Sequence, residues 1–280
     1  MANKQDIVVG VDQSSSSRAA LAWGARRAER LRLGLLLVHV IPDYLVSPGN
    51  PEYRSVHDAI AGFLESEAGT ARELAPAVHV QTRLVSGETV PVLVELSAGA
   101  TMVVVGTDRT ADSHGEGFGA VNLQLAMMGR CPVAVIPVQH TAVDAGVVVG
   151  IDGSAHSLAA AYFAADEAVE TGKELTVIYA AGSSSGARMA TRDDPTGRMI
   201  LESTVSCLRA RHIHLSVSDR FDSEDAPASA LAGASQGAQM LVVGSRGRGA
   251  VQHAIMGSVT QDLLLHVPCP LILTRPAGRG

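Results

Sequence analysis

Short apolar runs alternate along the chain with longer segments of helical periodicity. In the second half the runs are Val147–Ile151, Leu175–Tyr179, Leu215–Phe221, Met240–Gly244 and Leu271–Thr274, rich in Val, Ile and Leu with little polar alternation. Such runs read as strands covered on both faces. Between them, Ser157–Thr171 carries Leu158, Ala161, Tyr162, Ala165 and Val169 three to four residues apart, the stripe of an amphipathic helix. Asp194–Arg211 and Pro227–Ser235 also predict helices, the latter opening on a proline suited to a first turn. Strand–helix–strand alternation predicts right-handed crossovers, and hence an α/β fold with a doubly wound parallel sheet. Leu45–Tyr53 and Gly182–Asp193, rich in Gly, Pro and Ser, predict loops after the second strand of each half.

The pattern occurs twice. The segment starting at Ile7 ("IVVGVDQSSSSRAALAWGARRAE") matches that starting at Val147 ("VVVGIDGSAHSLAAAYFAADEAV"), "MVVVGT" at Met102 matches "MLVVGS" at Met240, and "RCPVAVIPV" at Arg130 matches "VPCPLILTRP" at Val267. Asp12 and Asp152 lie 140 residues apart, and Cys131 and Cys269 lie 138 apart. Three matches in one order at nearly one offset indicate a duplicated domain. The join falls near Val138–Gly146, giving domains 1–140 and 141–280, each with a five-stranded sheet.

Composition narrows the class. With 46% hydrophobic and 18% charged residues the chain is globular, and with 3% aromatics its core must be aliphatic. A net charge of −6 without a basic run argues against nucleic acid as a partner. No apolar run approaches the roughly 18 residues of a membrane span, and the N-terminus enters a strand without a secretory signal. Cys131, Cys207 and Cys269 show no metal or redox spacing and read as small buried hydrophobes in a reducing cytoplasm.

The candidate chemistry lies in "VVGSRGRGAVQHAIMGSVT", Val242–Thr260. Ligands of open doubly wound sheets bind at the carboxyl ends of strands. Gly244 closes the fourth strand and Gly257 introduces the fourth helix of its domain. Backbone amides of a glycine loop can approach a ligand closely, and the free amides of a first helical turn attract an anion. Ser258 and Thr260 add hydroxyls. Together they form a phosphate cradle without a catalytic side chain, although glycine loops also serve simply as turns and helix caps. Neither the GxxxxGK[ST] loop nor a GxGxxG after the first strand is present.

Gly244-x-x-Gly247, nine residues, then Gly257-Ser258 resembles the G-x2-G-x9-G-[S/T] signature of the ATP-binding universal stress proteins, the UspA-like family. Asp152 at the end of the first strand and the final "CPLIL" strand are similar to that family too, and the likeness spans residues 5–139 and 146–276. The resemblance implies a tandem protein of two such domains, each with strand order 3-2-1-4-5, a fold shared with adenine nucleotide alpha hydrolases. It also implies a site for ATP with Mg2+. Gly244, Gly247, Gly257 and Ser258 would hold phosphate and ribose, and Val259 and Thr260 would extend the donor set. Asp152 would make a ribose or metal-bridged contact, its other reading being a helix N-cap. Ala180 would pack on adenine. Arg246 and Arg248 could clamp phosphate or be solvated surface residues.

The first half departs from the signature. Gly106 and Gly119 match Gly244 and Gly257, but Arg109 replaces Gly247, Ala120 replaces Ser258 and Asn122 stands at the place of Thr260. Asp12 and Val40 remain. Arg109 could fill the phosphate space or bind phosphate itself, and Asp108, Asp112 and Glu116 add opposing charge. A weaker, altered or empty first site is expected.

Other candidates carry less. His212 and His214 in "RHIH" alternate as along a strand without a third metal ligand nearby in sequence, while His39 and His266 read as core residues and Trp23 as packing. The resemblance implies a nucleotide-dependent stress-response regulator rather than an enzyme. The alternatives are a slow ATPase or adenylate-handling enzyme with Asp152 as its acid or base, and a nucleotide-free dimerisation scaffold. The final strands of the two halves could pair within one chain or between chains of a homodimer, since an exposed edge strand is a liability.

Overall fold

The computed structural model describes residues 6–43, 53–108, 120–138, 146–182, 194–247 and 256–276. They form two units, the first ending at Val138 and the second beginning, among described residues, at Gly146. The first contains β1 (Ile7–Gly10), α1 (Ser15–Leu31), β2 (Leu35–Ile41), α2 (Tyr53–Leu74), β3 (Val80–Ser86), α3 (Thr89–Ser97), β4 (Met102–Thr107), α4 (Ala120–Met128) and β5 (Val133–Pro137). The second contains β6 (Val147–Ile151), α5 (Ala155–Thr171), β7 (Leu175–Ala180), α6 (Pro195–Arg211), β8 (Val217–Asp222), α7 (Pro227–Ala234), β9 (Met240–Gly244), α8 (Ser258–Leu265) and β10 (Leu271–Thr274).

Each unit has the expected α/β architecture. In the first the strand order is β3-β2-β1-β4-β5, and in the second β8-β7-β6-β9-β10, both 3-2-1-4-5. The pairings within each unit are parallel. The central strands are apolar because helices cover both faces: all five residues of β6 are buried, as are Ile7, Val8 and Val9 of β1. The order reverses between β1 and β4, and again between β6 and β9, which opens a crevice at the carboxyl ends of these strands.

The helix beside each central strand packs through small residues, and here the apolar stripe read from the sequence misleads. On α5 the buried face is Ser157, Ala160, Ala161, Ala164, Ala165, Glu167 and Ala168. Leu158 and Val169 are instead 40% and 49% exposed. Alanine lets the helix approach the sheet closely, so the largest aliphatic side chains need not mark the contact face. On α1 Ala20, Leu21, Gly24, Ala25 and Ala28 do the same, and a Cβ at Gly24 would lie 2.8 Å from Val9 Cγ2.

Some boundaries also differ from expectation. The predicted third strand of the second half starts at Val217, not Leu215, because α6 runs into a turn in which the Leu215 amide donates to the His212 carbonyl. His212 and His214 therefore lie in a turn, and His212 Nε2 sits 3.1 Å from Asp166 Oδ1. Tyr53, placed at the end of a loop, opens α2, while the rest of Leu45–Tyr53, and Gly182–Asp193 apart from its first residue, lie outside the described residues. Cys131 and Cys269 are buried as expected, and burial pushes the Cys269 thiol up to about 12, but Cys207 is exposed on α6. Trp23 lies on α1 with the Arg27 guanidinium 5.1 Å from its ring centroid. Among the described residues no helix is long and apolar enough to cross a membrane.

The two units end their first helix differently. Both C-caps are left-handed, but Gly172 (φ 64) closes α5 where Arg32 (φ 55) closes α1. A Cβ at Gly172 would meet no atom within 4 Å. The Gly172→Ala variant is therefore expected to lose about 1 kcal/mol in urea unfolding from backbone strain alone, and Arg32→Gly to gain a similar amount.

Candidate functional site

At the carboxyl ends of β6, β7 and β9 the second unit contains a cavity of about 450 Å³, within the range of small-molecule sites. Gly150, Ile178 and Val243 come from the strands, and Pro227 and Leu231 of α7 add an apolar wall. The polar side is built from the Gly244–Gly247 loop and the start of α8. Asp152, Ala180, Gly244, Arg246, Gly247, Gly257, Ser258, Val259 and Thr260, all singled out from the sequence, line this one cavity. Arg248 lies outside the described residues.

The donors come mostly from backbone. Gly257 is the N-cap of α8 and supplies no side-chain cap, so the first-turn amides of Ser258, Val259 and Thr260 have no intrahelical acceptor. These amides carry the positive end of the helix dipole, with the exposed Ser258 hydroxyl at the first helical position. Among the described residues a Cβ at Gly257 would meet no atom closer than 3.4 Å, and its φ of −77° suits any residue. The described residues thus give no steric reason for glycine there.

The other two signature glycines have protein-internal reasons. A Cβ at Gly244 would lie 2.7 Å from the backbone carbon and 2.8 Å from the Cβ of His156 on α5. At Gly247 it would lie 2.5 Å from Asp152 Oδ2, so the loop closes directly onto that carboxylate.

Two readings of single residues are corrected by the geometry. Asp152 is not the N-cap of α5. Ser154 is, accepting from the Ser157 amide at 3.1 Å, while Asp152 Oδ1 accepts from the Ser154 amide at 2.9 Å. Its other oxygen, Oδ2, is the one facing Gly247. Thr260, read as a further donor to the ligand, is buried and donates its hydroxyl proton to the Gly244 carbonyl at 3.0 Å. It ties the start of α8 to the end of β9. Asn122 does the same in the first unit, its Nδ2 donating to the Gly106 carbonyl at 3.2 Å.

The first unit has a smaller cavity of about 200 Å³ in the same place, lined by Asp12, Val40, Gly106 and Asn122 among others. Arg109, Gly119, Asp112 and Glu116 lie outside the described residues, and Asp108 is exposed at the end of β4. Gly106 repeats the packing reason of Gly244, since a Cβ there would collide with the Ser16 carbonyl and come within 2.8 Å of the Ser17 amide nitrogen. His39 is not a core residue: it is half-buried, lines this cavity and holds Nδ1 2.7 Å from the Val11 carbonyl, so Nδ1 carries the proton. His266, also expected in the core, is exposed as the C-cap of α8.

Burial pushes the Asp12 carboxyl up, but hydrogen bonds from the Ser14 hydroxyl and amide and from Ser17, with the pull of His39, outweigh it and hold the group below its ordinary value. In the second unit His156 was missed from the sequence. It packs behind the cavity with Nδ1 3.2 Å from Ser245 Oγ. Burial lowers its pKa, Arg246 and Arg275 lower it further, and Asp152 opposes them. Its position one turn after Asp152 was the available signal, but that position also suits an ordinary surface residue. Among the described residues no cluster of three His, Cys, Asp or Glu could hold a metal ion.

The universal stress protein family model matches residues 4–137 and again 146–275. The chain belongs to the universal stress protein family. It carries two universal stress protein domains in tandem. It is 33% identical over 290 residues to Universal stress protein Rv2005c of Mycobacterium tuberculosis (strain ATCC 25618 / H37Rv), with 96% of each chain covered. To Universal stress protein Rv2623 of the same strain it is 29% identical over 290 residues, again with 96% of each covered. Its fold is similar to that of a universal stress protein from Archaeoglobus fulgidus DSM 4304, with a TM-score of 0.75, 18% identity and coverage of 98% of this chain and 97% of that one.

In this universal stress protein the part-buried bond from Thr260 to Gly244 fastens α8 to β9, and a Thr260→Val variant removes it. The variant is expected to lose about 1–3 kcal/mol of stability by urea unfolding.

Proposed function

We propose that the second domain binds ATP together with Mg2+, and that the protein is a nucleotide-dependent regulator of the stress response. One observation carries this reading: the first-turn amides of α8, without a partner among the described residues, stand beside Ser258 and Arg246 at a cavity lined also by Gly257, whose Cβ would meet no described atom closer than 3.4 Å. Donors around a void select an anion, and several in a row suit a polyphosphate. The opposite wall, Ala180, Pro227 and Leu231, is apolar and suits a flat base.

The residues fit Mg2+ in the way that ion is usually held near phosphates, by one or two carboxylates, water and the phosphates themselves. Asp152 is the carboxylate in the described lining. The ion would neutralise phosphate charge there, and Asp152 would orient it. The first domain, with its smaller cavity and alanine at position 120, would hold nucleotide more weakly. Hydrolysis would have to run through Asp152, whose Oδ1 is already engaged by the Ser154 amide, so regulation by occupancy is favoured over turnover.

Titration calorimetry with Mg-ATP tests the reading. Ser258→Ala is expected to weaken binding about ten- to hundredfold, as for loss of one charge-assisted hydrogen bond. Gly257→Ala is expected to weaken it at least about tenfold while changing stability by under about 1 kcal/mol, because its Cβ would enter space that only the ligand uses. Wild-type protein that binds no ATP, or two folded variants with unchanged affinity, would exclude the proposal.

A further inference from the structure

Behind the phosphate-loop glycines lies a cluster that the nucleotide reading does not use. His156 stands in the first turn of α5, half-buried, against the end of β9. Gly244 is glycine because this residue is so near. The ring's Nδ1 lies 3.2 Å from Ser245 Oγ. Ser245 is itself buried and lies at the root of the loop: its amide donates to the Thr274 carbonyl at 3.0 Å, and its carbonyl accepts from the Gly257 amide at 3.3 Å. One serine therefore joins the imidazole to the residue that caps α8.

Resting on the nucleotide reading, we infer that His156 is a positioning residue that takes up a proton when a polyphosphate occupies the second domain, so that nucleotide binding tightens as pH falls. Among the described residues the charged groups that act on the ring are Arg246 from the loop after β9, Arg275 after β10 and Asp152 before α5. In the free protein burial and the two arginines disfavour the imidazolium more than Asp152 favours it. A Mg-polyphosphate held by Arg246 and the α8 amides keeps a net negative charge even with the cation at Asp152, and that charge offsets the arginines and attracts the ring's proton. An imidazolium must donate through Nδ1. Ser245 Oγ then accepts and turns its own hydrogen away, which fixes the orientation of the serine at the root of the loop.

The sign follows from linkage. The bound state holds the proton more tightly than the free state, so affinity is flat at high pH and rises as pH falls through the bound-state pKa. It levels off below the free-state value. Each tenfold gain in the ring's proton affinity on binding appears as up to about a tenfold gain in nucleotide affinity.

Because the terminal phosphate of ATP titrates in the same region, the ring itself is the readout. The chain has ten histidines, so the His156 ring signal is identified in NMR spectra of the full chain by its loss in His156→Gln. It is then titrated in free and Mg-ATP-saturated protein. The expected result is a bound-state pKa higher by enough to correspond to roughly three- to tenfold in proton affinity. The His156→Gln variant should show a correspondingly flatter pH dependence of ATP affinity by calorimetry, whatever its affinity at pH 7.5. A His156 titration that is unchanged or lowered by bound nucleotide overturns the inference and leaves the nucleotide reading intact. Protein that binds no nucleotide at any pH overturns both.

Discussion

Everything at the mouth of each domain depends on how closely its first helix approaches the carboxyl end of the fourth strand. At Gly244 the backbone of His156 occupies the space a side chain would take, and at Gly106 Ser16 and Ser17 do so. Helices α1 and α5 come this near because alanine and glycine line their sheet-facing sides. With the helix seated there, the chain leaving β9 turns outward over Asp152 and meets the start of α8, where Thr260 fastens it to Gly244. The cavity is what remains between these pieces. Its donors are backbone amides held by packing, already aimed before any ligand arrives.

Comparison of the two domains separates the contacts that close the fold from the residues that line the second cavity. Gly106 and Gly244, Asn122 and Thr260, and Ser14 and Ser154 perform the same structural tasks in both. A second-unit cavity roughly twice as large retains Ser258, Arg246 and an unconstrained Gly257. Both copies keep the same closure of the domain, and among the described residues the wider cavity lies in the second. The aspartates after the first strand persist in both because each organises the turn into its helix through the serine two residues on. Retention of Asp12 is therefore poor evidence for a ligand in the first domain.

Much of this was legible in the residues. The α/β class and the duplication follow from apolar runs and matched segments, and the strand order is what the resemblance to the universal stress proteins implied. All nine residues picked for the second site line one cavity, because a motif of fixed spacing between a strand end and a helix start constrains both ends of one loop. Single residues were less legible. The alternation His212-Ile213-His214-Leu215 looks like a strand, but backbone bonds turn it. Leu158 and Val169 look like core, but the alanines beside them make the contact. Cys207, His39 and His266 are apolar in sequence context and exposed or half-buried in space.

The residue pattern alone thus determined the kind of fold, its repetition and which residues line the second unit's cavity, because periodicity and motif spacing are properties of the chain itself. Tertiary structure alone decided which hydroxyl serves the fold and which faces the void, which aspartate oxygen is engaged, and that His156 stands behind the loop. These depend on distances in space between partners that lie 2, 16 and 89 residues apart, Asp152 with Ser154, Thr260 with Gly244 and His156 with Ser245, and the residue pattern carries no measure of those distances.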